Sequence, residues 1–123
     1  MGSIPLFWMF VLVAVLWSYI SWRWLHDKFR SLAHAIFALG IFLNVLVMTC
    51  NDGKMPVIAR SEMHHARLMK AEWHSPAHAN TRLPLLIDRI PWGTYTYSVG
   101  DIVMFFGFSF IVVSYIRRFA RRR

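Results

Sequence analysis

The chain has 123 residues, of which 57% are apolar and only 16% charged. A globular chain carries roughly 25% charged residues, so this composition argues against a soluble domain. The net charge of +8 sits in short basic segments, a pattern that suits attraction to an anionic leaflet and points to no specific nucleic acid.

Residues 4–22 contain no charged side chain and are long enough to cross a bilayer as a helix, which takes about 20 apolar residues. Met1 to Pro5 carry no basic residue and Ser18 to Trp22 make a poor cleavage site. The run is therefore expected to remain as an anchor and not to act as a signal peptide. Trp17, Tyr19, Trp22 and Trp24 cluster at its far end, as an aromatic belt does. A short connection with Arg23, Lys28 and Arg30 against Asp27 follows.

Residues 31–50 form a second expected span. Gly40 and Asn44, four residues apart, share a helix face. A small residue beside an amide suits close helix contact with an interhelical hydrogen bond, and Gly107 offers a similar small surface on the last helix. Cys50, the one cysteine, excludes an intrachain disulfide.

Residues 51–97 make a long polar connection that still keeps many apolar side chains. Ser61 to Glu72 predicts a helix with Ser61 as N-cap. Met63, Ala66, Met69 and Trp73 predict its apolar face, and Pro76 interrupts the pattern. Asn80 to Ile90 is dense in Leu and Ile, so it is expected to bury against the bilayer interface or the helix ends. Asp88 sits among these apolar residues and needs a partner. We expect a polar structural cluster of Lys54, Asp88, Ser98 and Asp101, in which replacing Asp88 by Ala lowers thermal stability. Ser98 and Asp101 have the spacing of a capping box.

A third span is expected at 98–116, followed by a basic tail at 117–123. Arg117, Arg118, Arg121, Arg122 and Arg123 suit an anionic inner leaflet, each contributing about 1 kcal/mol. With three spans, the first connection and the tail lie on one side, and the positive-inside rule makes that side cytoplasmic. The N-terminus and the long connection then lie outside. The expected fold is an all-α integral membrane protein: one membrane domain with three transmembrane helices and a structured, partly helical extracytoplasmic loop between the second and third.

Three segments, Asn51 to Val57, Asn80 to Pro91 and Ser98 to Asp101, resemble a bacterial membrane family described as domain of unknown function 5317. Its members carry a GKMP segment after a helix, then T-x-L-x-x-L-x-D-x-I-P, then an S-x-G-D that opens the last helix. The resemblance covers about residues 51–107. It implies a membrane location and a structured loop, and it supplies no reaction.

For chemistry, His64, His65, His74 and His78 are the candidate metal ligands, for zinc or copper. His74 and His78 have the spacing of helical ligands, but Pro76 between them breaks a helix. Haem would need His34 with a partner such as His26. No cofactor is expected. The reading that follows is a non-enzymatic accessory or stabilising subunit of the inner membrane, packed against a larger membrane partner or a second copy. The alternatives are a metal-binding or catalytic membrane protein using the loop histidines, and a holin-like pore former.

Overall fold

The computed structural model describes residues 12, 15–17, 19 and 28–123. The expected first span at 4–22 lies outside the described residues, except that Leu12, Val15, Leu16, Trp17 and Tyr19 are helical and exposed. Two long helices follow: α1 over Lys28–Cys50 and, after a shorter α2 over Glu62–Lys70, α3 over Val99–Arg121. Both long helices are long and apolar enough to cross a membrane. At 1.5 Å per residue each is about 34 Å long, slightly more than the roughly 30 Å hydrocarbon core. The expected basic tail is partly helix, since Arg117, Arg118 and Arg121 belong to α3; all five arginines are exposed.

The chain divides into two compact units, Met1–Ile41 with Ile102–Arg123, and Phe42–Asp101. In the first, α1 and α3 meet through small and aromatic residues. Phe29 stacks edge-on to Phe110 at 6.0 Å, and Phe37 lies 6.5 Å from Phe108. Gly107 faces the backbone of Phe37, whose Cα would stand 2.6 Å from a methyl group placed on that glycine. Arg30, itself buried, lies 4.8 Å over the Tyr115 ring.

The second unit is not all-α. Besides α2 it contains β1 (Met55–Val57), β2 (His74–Pro76), β3 (Ile90–Trp92) and β4 (Tyr95–Tyr97). The all-α expectation missed these strands because each has three residues, too few for a period-two pattern to register. β1 and β2 run parallel, with Met55 opposite His74 and Val57 opposite Pro76. Parallel strands need a long crossover, and the segment containing α2 supplies it. The other edge of β1 pairs with Asp88 through Asp88 N to Pro56 O (3.0 Å) and Ile58 N to Asp88 O (2.9 Å). β3 and β4 form an antiparallel hairpin.

Two local signals shape this unit. Helix α1 ends in a Schellman arrangement: Asp52 and Gly53 take φ of 57° and 79°, and Gly53 N bonds to Met48 O at 2.8 Å. That reversal turns the chain into β1. Ser61 caps α2 by accepting from His64 N at 3.1 Å. The predicted apolar face of α2 is not the one that the chain itself buries, however. Met63, Ala66, Met69 and Trp73 are exposed, and Leu68 is the buried residue. A nine-residue helix held at both ends by a crossover presents the face that its tether dictates, whatever its own periodicity. The core of the unit is Val47, Met55 and Ile87, with Met48, Ala77 and Leu86 against it. The last turns of α1 therefore contribute Val47 and Met48 to the core of this unit.

Candidate functional site

A polar ring of the second unit joins α1 to the start of α3. Ser98 Oγ donates to Asn44 Oδ1 at 2.7 Å and accepts from Asp101 N at 3.1 Å. Asp101 accepts from Asn44 Nδ2 at 2.7 Å and from Ser98 N at 3.0 Å. The capping box is thus reciprocal, and Asn44 closes it into a ring. Ser98 is fully buried. Its proton is committed to an amide oxygen and not to a base, so the ring is built to hold two helices and not to supply a nucleophile. Gly40, one turn before Asn44, is buried, as is Gly107 in the first unit.

Asp88 is the second feature. It is only 5% exposed. Its Oδ2 lies 4.0 Å from His74 Nε2, beyond hydrogen-bond length. Among the described residues its buried Oδ1 has no hydrogen-bond partner. Burial first, and the negative charge of Asp101 second, push its carboxyl up to about 7. A carboxyl in that state exchanges its proton near neutral pH, which is the property a general acid or base needs. Of the expected cluster, Lys54 is not the basic side chain nearest this carboxyl among the described residues; His74 is. Lys54 Nζ donates to Ala71 O at 3.2 Å, because its position before β1 directs it to the end of the α2 crossover. So Ser98 and Asp101 join Asn44, Asp88 joins His74, and Lys54 holds the crossover.

The loop histidines do not converge. His64 Nδ1 accepts from Arg60 N at 3.2 Å, His65 is exposed on α2, and His78 Nδ1 accepts from Asn80 N at 3.2 Å. His74 faces Asp88 from β2. Among the described residues no group of three or more His, Cys, Asp or Glu side chains could hold a metal ion. His34 Nδ1 donates to Arg30 O at 2.8 Å, and its suggested haem partner His26 lies outside the described residues. An open hollow is lined by Ile58, Ala77, His78, Thr81, Ile87 and Arg89. Asp88 lies between two of these lining residues in sequence without lining the hollow itself, as alternation along an extended chain requires.

Besides the strand pairings and the part Asn44 plays in the ring, three side-chain relationships were not legible in the sequence. His74 and Asp88 are one. The second is Asn51, which exchanges hydrogen bonds with Arg82, donating to its carbonyl at 3.0 Å and accepting from its amide at 2.9 Å. The third is Arg60, whose Nη1 donates to Gly93 O at 3.0 Å. An asparagine directly after a helix is a signal for a cap, but nothing local names Arg82 as its partner.

A family model described as a family of unknown function, DUF5317, matches residues 3–113. No curated protein and no solved structure matches the chain. The three motif segments lie inside the matched range, and the fold gathers them. Pro56 bonds to Asp88, and the charge of Asp101 acts on Asp88.

Proposed function

The chain belongs to the DUF5317 family, a family of unknown function, and from that premise we propose that it is a non-enzymatic membrane subunit that packs against a larger membrane partner. In this reading the N-terminus and the second unit lie outside the inner membrane. The arginines from Arg117 to Arg123 lie at the cytoplasmic leaflet, where basic residues are favoured. The observation that supports the reading is how little of the two long helices is buried among the described residues. Only 22% of the apolar stretch of α1 and 17% of that of α3 are buried. The uncovered surface of α3 includes Phe105, Phe106 and Phe108, large rigid side chains of the kind that anchor contacts.

The test is purification from the native membrane in mild detergent, with identification of co-purifying chains. A larger membrane protein recovered at constant ratio supports the proposal, and a lone monomer overturns it.

Asp88 favours a second reading, in which Asp88 and His74 exchange protons with a substrate or with each other. It predicts that Asp88→Asn abolishes the biological effect of the protein while leaving its membrane level unchanged. An active, normally abundant Asp88→Asn protein removes this reading.

A further inference from the structure

The β3–β4 hairpin has two different faces. Ile90 stands opposite Tyr97, and Trp92 opposite Tyr95. Directly opposed residues of an antiparallel pair project to the same side, and residues two apart on a strand do so too. All four of these side chains therefore share one face, and the 6.4 Å separation of the Tyr95 and Tyr97 rings agrees. Ile90 and Tyr97 are half-buried at the root of the hairpin. Trp92 and Tyr95, next to the turn, are 71% and 69% exposed. Gly93 takes φ of 63°, as the first central residue of a type II′ turn does. The carbonyl of Gly93 accepts from Arg60 Nη1, so a guanidinium is held beside the aromatic tip.

The hairpin has little freedom to leave its surroundings. Tyr97 directly precedes Ser98, the cap of α3. From Ser98 to Arg117 the helix rises about 28 Å, close to the roughly 30 Å of a hydrocarbon core. With α3 across a bilayer, Ser98 stands at the edge of the hydrocarbon. Three residues of strand extend at most about 10 Å, and the headgroup layer beyond the hydrocarbon is about 5–8 Å deep. The chain thus holds the Trp92–Tyr95 pair within about 10 Å of the hydrocarbon edge, within reach of the headgroup layer. Aromatic rings with a polar handle concentrate at that level, and a guanidinium complements phosphate.

We propose that the Trp92–Tyr95 face of the hairpin, with Arg60 beside its turn, is a lipid-binding site that seats in the phospholipid headgroup layer of the leaflet α3 enters. The proposal goes beyond the subunit reading. It needs α3 to span the bilayer and needs no protein partner.

The test uses the full chain with Cys50→Ser and a single bimane label at Thr94→Cys, which keeps both aromatics. The protein is reconstituted alone into phosphatidylcholine–phosphatidylglycerol vesicles. A label at Glu62→Cys on exposed α2 serves as the comparison. Nitroxide on the lipid headgroup should quench the label at residue 94 several-fold more than that at residue 62, and aqueous iodide should do the reverse. Adding Trp92→Ala and Tyr95→Ala should open the label at residue 94 to iodide. Equal iodide access at the two positions in the intact hairpin, the result expected if a protein partner covers this face, overturns the proposal. So does headgroup quenching that survives loss of both aromatics.

Discussion

Gly107 lies so close to Phe37 that a methyl group on the glycine would stand 2.6 Å from the Phe37 Cα and 2.8 Å from its Cβ. The obstacle includes backbone, which cannot swing away as the end of a side chain can. Gly107→Ala should therefore lower the melting temperature in detergent, with a cost of about 1–3 kcal/mol typical of overpacking. Gly107→Val should cost more. A Gly107→Ala protein that melts with the wild type would show that the two helices separate freely at this point.

Asn44 bonds to both Ser98 and Asp101. Asn44→Ala leaves the Ser98 hydroxyl proton and one Asp101 oxygen without their partner in partly buried surroundings, at a cost of about 2 kcal/mol. Because both act in one ring, Asn44→Ala and Ser98→Ala should be non-additive by about 0.5–3 kcal/mol in a double-mutant cycle. Additive losses of thermal stability would mean that the ring is no unit.

Asp88 should make stability pH-dependent with a definite sign. Its carboxyl titrates at about 7 in the folded protein against 3.8 ordinarily. Between those values the unfolded chain is the more ionised and binds fewer protons, so stability falls as pH rises through this window and levels off above it. Asp88→Asn removes the ionisable group. It should raise stability above pH 7 by on the order of 1–2 kcal/mol, after allowance for solvent screening, and give no gain near pH 4. Melting curves across pH check this. A wild-type protein that gains stability from pH 5 to 8 as its Asp88→Asn variant stays level would refute it. This sign is the opposite of that of a carboxylate salt-bridged to a lysine, whose stability contribution is lost as pH falls.

Ser61→Ala should loosen α2, since the Ser61 hydroxyl accepts from His64 N at 3.1 Å. Loss of such a cap costs about 1 kcal/mol. Amide exchange in α2 should quicken while the hydrogen bonds of α1 and α3 keep their protection. Unchanged exchange in α2 would show that the β1–β2 crossover alone holds it.

Much of the local structure was readable in advance. Long uncharged runs predicted α1 and α3 to within a few residues at most ends, because transfer of apolar side chains from water is nearly additive along a chain. Ser61 and the Ser98–Asp101 spacing predicted two helix starts, because a cap is satisfied within four residues of itself. Which residue of α2 the chain buries was not legible, for the opposite reason. Met63 and Met69 follow a helical period, but burial of Leu68 depends on where the crossover presses the helix.

The sequence by itself therefore determined, of the three spans it led us to expect, the two long apolar helices among the described residues and the structured segment that joins them, since hydropathy and helix capping act over a few neighbouring residues. Only the tertiary structure decided that β1 pairs with both β2 and Asp88, that Asn44 completes the Ser98–Asp101 ring, and that His74, not Lys54, faces the buried carboxylate. Backbone amides and carbonyls are chemically alike at nearly every residue, so composition cannot say which distant partners they choose. That choice follows from the packing of Val47, Met55 and Ile87, which brings those groups within reach.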